Sequence, residues 1–147
     1  MTYQIKPSEP GGRITEVGLA SDTAFTSGNT VTLDTTTHSH TGSGRVSLSS
    51  NVVTLKAGTY IIYGSVAIDK TTDTDTYDIK FIDNATSTEL TIAEGWMSAQ
   101  SVTISTSGSM LLQAHLELLS SVSFRLESTG ASGTLKADGV YLMILEL

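Results

Sequence analysis

The chain has 147 residues, 39% of them hydrophobic and 16% charged, with 13 Gly, 2 Pro and no Cys. This length suits one domain with a sizeable core; the composition excludes a disordered chain, and the lack of Cys excludes a disulfide framework and thiolate chemistry. The formal net charge is −7 and the eight Lys and Arg are scattered from Lys6 to Lys136, so there is no concentrated basic face for a nucleic-acid backbone.

At the N-terminus, "MTYQIKPSEPGGR" lacks a basic segment followed by an apolar one, and nowhere do about 18 apolar residues run together. The expectation is a chain with no export signal and no membrane span. Pro7, Pro10, Gly11 and Gly12, with only the short apolar patch from Val17 to Ala20, make residues 1–28 an irregular arm leading into a domain over 29–147. In the arm, Tyr3, Ile5, Arg13 and Ile14 are the candidate partner-binding residues.

Strand signals then follow at short intervals: Asn29 to Asp34, Arg45 to Leu48, Val52 to Leu55, Thr59 to Ile68, Tyr77 to Ile82, Glu89 to Ala93, Ser101 to Ser105, Ser109 to Leu119, Val122 to Leu126 and Val140 to Leu147. They are rich in Val, Ile, Thr and Tyr and are separated by turn-formers such as "KAGT", "DNATS" and "STGASG". An all-β sandwich or jelly roll is the natural architecture. "MLLQAHLELL" is built from good helix formers. Its alternation of Met110, Leu112, Ala114, Leu116 and Leu118 favours a strand among strands.

Two strands have no polar face. In "GTYIIYGSVAI", Tyr60, Ile62, Gly64, Val66 and Ile68 share one side, and Ile61, Tyr63, Ser65 and Ala67 the other; in "VYLMILEL", Val140, Leu142 and Ile144 oppose Tyr141, Met143, Leu145 and Leu147. A domain of this size has only one interior. The second face therefore needs another copy of the chain, and closed homo-oligomers are the commonest solution.

The same two strands, with the paired-strand segment "GSMLLQAHLELLSSVSFRLE" and the early strand "NTVTLD", resemble the tumour necrosis factor and complement C1q-like jelly rolls. The likeness spans about Asn29 to Leu147, and Ser120 and Ser121 replace the usual Gly-Asp of the turn. The resemblance implies a ten-stranded jelly roll assembling as a homotrimer. It implies that Ile61, Tyr63, Ser65, Tyr141, Met143 and Leu145 face the threefold axis, while Tyr60, Ile62, Val66, Leu142 and Ile144 fill the sandwich.

Chemistry-bearing residues are sparse. His38 and His40 are spaced to share a metal if extended, with Asp34 the only further ligand nearby, and "DKTTDTDTYD" sets Asp69, Asp73, Asp75 and Asp78 within ten residues, the oxygen-rich kind of loop that suits a hard cation such as Ca²⁺. An exposed polar loop and a solvated acidic turn are the simpler readings, because the histidines have no nearby ligand besides Asp34 and the Gly and Glu of an EF-hand loop are missing. His115, between Gln113 and Glu117, suits a surface or interface position. Trp96, the only Trp, reads as a loop anchor for a partner or a plug at one end of the sandwich. No Gly-x-Ser-x-Gly elbow, P-loop or dinucleotide fingerprint occurs, so neither an enzyme nor a cofactor is expected.

Small trimeric jelly rolls of this type occur on bacteriophage particles, and the expectation that follows is a capsid decoration (cement) protein. Such a protein is assembled in the host cytoplasm, sits on the virion surface and binds the major capsid protein. The alternatives are a receptor-binding or fibre-tip module recognising a host glycan or protein, and a soluble C1q-like ligand.

Overall fold

The computed structural model describes residues 13–26, 29–38, 44–70, 75–92, 94–99, 101–130 and 132–147. They form two antiparallel sheets. In the first, the long strand β6 (Gly58–Asp69) is the spine. One edge of β6 pairs along its whole length with β10 (Ser107–Leu118), from Gly58 opposite Leu118 to Asp69 opposite Ser107. Its other edge is shared by β13 (Tyr141–Glu146) and β12 (Gly133–Leu135). Beyond β13 lie β1 (Arg13–Gly18) and β3 (Thr35–His38); β2 (Thr23–Phe25) pairs with β12, and β8 (Glu94–Ala99) pairs with β10. The second sheet runs β4 (Val46–Ser49), β5 (Val52–Leu55), β11 (Val122–Thr129), β7 (Asp75–Asp83) and β9 (Ser101–Ile104). The segment with helix-forming residues is thus a strand, because twelve residues of β6 offer it a complete ladder.

Alternation decides which side chains enter the sandwich. Tyr60, Ile62, Val66, Leu142 and Ile144 are all 0% exposed, and with Leu112 and Leu116 they pack with Val53, Leu55, Phe124 and Leu126 of the second sheet in one core. Phe81 and Phe124 meet edge to face, with centroids 5.4 Å apart. Tyr60 donates its hydroxyl to the Lys56 carbonyl at 2.7 Å, tying down the turn before β6; burial, aided by Glu146 and opposed by Arg45, raises the pKa of this phenol. Gly64 is required by close approach. A Cβ there would lie 2.4 Å from Leu142 Cδ2 and 2.8 Å from the Tyr141 carbonyl oxygen.

The elements differ from the sequence expectation in several places, among them the short strands β3 and β12, which lie where no strand was expected. Arg13–Gly18 and Thr23–Phe25, expected within an irregular arm, are strands in the first sheet; Thr15 is only 2% exposed, and this buried polar residue blurs the apolar alternation around Val17. Asn29 to Asp34 buries Val31 and Leu33 without a ladder, making one bridge from Thr30 to Glu127 and a hydrogen bond from Val31 N–H to the Leu126 carbonyl. Of Glu89 to Ala93, the described residues 89–92 likewise have only the Ile82–Glu89 bridge. The strand comes after it, at β8, where Trp96 was expected as a loop anchor or a plug at one end of the sandwich. β8 and β9, one residue apart, join opposite sheets, which helps raise the described strands to thirteen where ten were expected.

Candidate functional site

The outer face of the first sheet is built from the second side of the two doubly apolar strands. Register lines their residues up in rows across the sheet. One row runs Trp96, His115, Ile61, Leu145, Ile14 through β8, β10, β6, β13 and β1, and the next runs Ser98, Gln113, Tyr63, Met143, Glu16. A third places Leu111, Ser65 and Tyr141 side by side. Tyr63 is 52% exposed, Trp96 51%, Leu111 51% and Met143 39%; among the described residues only two other large hydrophobic side chains, Leu119 and Leu147, are as open. The exposed apolar surface is therefore concentrated on one face rather than scattered, which is the signature of an interaction surface.

All six residues expected at a threefold axis lie on this face. Ile61, Tyr141 and Leu145 are half-buried and Tyr63 and Met143 exposed, but Ser65 is covered within its own subunit, between Leu111 and Tyr141. Arg13 and Ile14 belong to β1, opposite Glu146 and Leu145; Tyr3 and Ile5 lie outside the described residues. Trp96 projects from a strand and not from a loop. Trp96, Tyr63, Ile61, Ile62, Ala114 and His115 line a notch of about 220 Å³. His115 Nε2 lies 3.9 Å from Glu117 Oε1, so the imidazole sits where the apolar patch meets an acidic rim. Leu111 was not singled out in the sequence, although "MLL" carries the signal that both faces of β10 are apolar there.

Among the described residues the metal candidates do not gather into a site. Among the described residues no three His, Asp or Glu side chains gather closely enough to hold an ion. Asp75 accepts a hydrogen bond from the Thr76 N–H at 2.8 Å, His38 ends β3, and His40 and Asp73 lie outside the described residues. One charged cluster has a structural task. Asp22 accepts the Lys136 ammonium and, at 2.9 Å, the Ala137 N–H, and Lys136 Nζ is 3.7 Å from Asp69. Those bonds lower the Asp22 pKa and raise that of Lys136, and they fasten the β12–β13 connection to the turn between β1 and β2.

A crystal structure of murine APRIL matches this fold with a TM-score of 0.62 at 13% identity, over 92% of this chain and 98% of that one. A structure of Eiger TNF from S. frugiperda matches with a TM-score of 0.61 at 14% identity, over 94% and 93% respectively. No protein-family model and no curated protein sequence matches the chain. At such identities the likeness defines the fold. The chain is an all-β, TNF-like jelly roll.

Proposed function

We propose that this chain is a non-catalytic binding module that assembles as a homotrimer and decorates a bacteriophage capsid, gripping the major capsid protein lattice and stabilising the head. The observation that carries this reading is the apolar outer face centred on Ile61, Tyr63, Met143 and Leu145. Left wet, such a face is unfavourable at about 25 cal/mol per Å² of apolar surface. A closed ring in which each subunit covers its neighbour's face removes that cost with no open edge for further growth, in keeping with the threefold assembly that the sequence resemblance implies. A trimer then presents three equivalent surfaces to a site of local threefold symmetry. Contacts that are weak singly sum through multivalency, which is how a small module resists outward pressure on a shell.

Copy number on particles from the native source tests the role. Hundreds of copies spread over the head, and loss of head stability when the protein is stripped, are expected. A handful at the tail would assign the chain to a fibre tip, and its absence from particles would remove the virion reading altogether.

A further inference from the structure

The outer face is symmetric in register about β6 and unlike in chemistry on its two sides. In the row Ser98, Gln113, Tyr63, Met143, Glu16 two residues stand on either side of Tyr63, and in the row Trp96, His115, Ile61, Leu145, Ile14 two stand on either side of Ile61. On the β10 and β8 side lies the notch lined by Ile61, Tyr63, Trp96 and His115. On the β13 and β1 side Met143 stands exposed in the Tyr63 row. A closed threefold ring is built from a heterologous contact, in which two different patches of each subunit meet. A face divided into a half with a hollow and a half with an exposed Met supplies both patches.

Rotation about an axis running along β6 keeps every residue at its own height, so each row of one subunit meets the same row of the next, one side against the other. The pairs that result are matched. Leu111 comes to Tyr141 and Trp96 to Ile14, apolar against apolar; Gln113 comes to Met143 beside the notch, and Ser98, a hydroxyl donor, comes to the Glu16 carboxylate. Charge is matched as well. Glu94 and Glu117 are exposed and directly opposite each other on β8 and β10, a placement that is unfavourable for like charges. Arg13, exposed at the start of β1, is on the side that comes to them.

We propose that β10 and β8 of each subunit pack row for row on β13 and β1 of the next, with Met143 of the partner subunit filling the notch lined by Trp96 and Tyr63. This pairing rests on the homotrimer proposed above and goes beyond it by naming which half of each face covers which. It also fixes how the ring closes. Setting the β8 side of one subunit on the β8 side of another would gather Glu94 and Glu117 from both, and would leave each notch without an apolar side chain to fill it.

Because the chain has no Cys, introduced pairs report the contact. One variant of the full chain carries Gln113→Cys with Met143→Cys, and a second carries Glu16→Cys with Ser98→Cys, which keeps every apolar side chain of the face. Within one chain the members of these pairs stand two and four strands apart, about 10 and 19 Å, beyond the roughly 7 Å that a disulfide can bridge. Any bond is therefore between subunits. On mild oxidation both variants should run as covalent trimers in non-reducing electrophoresis, whereas each single-Cys variant should give none. The solution mass of the reduced Glu16→Cys, Ser98→Cys protein separates the two ways of failing. Trimers that cross-link in neither variant, or Met143→Cys alone cross-linking as well as the pair, would overturn the pairing of halves and leave the trimer standing. A reduced protein that is monomeric, or cross-links that end at the dimer, would overturn the threefold ring and the pairing with it.

Discussion

Replacing Tyr63 by Asp perturbs the outer face at its centre and spares the core. Tyr63 is 52% exposed, between Gln113 and Met143, and its partner within the sandwich pattern, Ile62, is fully buried. A Tyr side chain buries about 150–250 Å². The half still exposed here is therefore roughly 100 Å², and covering it in a trimer contributes about 2.5 kcal/mol per subunit at 25 cal/mol per Å². Three copies amount to about 7.5 kcal/mol, or on the order of 10⁵-fold in the association constant. The three carboxylates add to the loss, since charge on a partly dry surface is penalised by desolvation and by like-charge repulsion. Tyr63→Asp should thus give a folded monomer by native mass spectrometry and light scattering at micromolar concentration. Ser47→Asp, on an exposed position of the second sheet, should remain trimeric. If Tyr63→Asp assembles like the wild type, this face is not the subunit interface.

Gly64→Ala should destabilise the subunit by about 1–3 kcal/mol in urea unfolding, since its methyl would meet Leu142 and the Tyr141 carbonyl in a packed core. The two buried tyrosines should respond oppositely to loss of their hydroxyls. Tyr60→Phe forfeits a 2.7 Å hydrogen bond and should cost about 1 kcal/mol, whereas Tyr77→Phe should be neutral or stabilising by up to about 1 kcal/mol, because Tyr77 Oη has no partner among the described residues. The Phe variant keeps the ring that lies 5.8 Å from Lys70 Nζ. Asp22, whose pKa the Lys136 and Ala137 hydrogen bonds lower in the folded state, contributes stability above its ordinary, unfolded value that is lost as pH falls through the folded one. Lys136, raised mainly by the same hydrogen bond, contributes below its ordinary value and loses its contribution as pH climbs through the higher folded one. Asp22→Asn should flatten both limbs of the thermal stability profile while leaving near-neutral pH as the region where wild type leads most.

Much of this was legible because alternation is a strong signal when the polar side is missing. In β6 and β13 the two sets of side chains could be listed residue by residue, and the buried set, Tyr60, Ile62, Val66, Leu142 and Ile144, is fully enclosed. The outer set could be named too, except that Ser65 was counted as open when neighbours on both adjoining strands cover it. Pairing was less legible than burial. Val31, Leu33 and Leu90 are buried like strand residues but sit in segments that make single bridges, because burying a side chain needs only the right direction, whereas a ladder needs a free strand edge alongside. β1 was hidden for the opposite reason: its buried Thr15 reads as polar, and the preceding Pro and Gly suggested a loop. Gly95 lies in β8, a strand that was not expected. With φ of +116° and only 2.0 Å from a would-be Cβ to the His115 carbonyl oxygen, it is a glycine demanded by close approach within a strand, and it carries Trp96 onto the face that the rest of the patch occupies.

The central claim is that the outer face of the first sheet is covered by neighbouring copies, and the solution mass tests it most directly. Sedimentation equilibrium on the full chain across nanomolar to micromolar concentrations should give a single species of about 46.5 kDa, three times the 15.5 kDa subunit. A species of 15.5 kDa throughout would contradict the account and leave that apolar face without a cover.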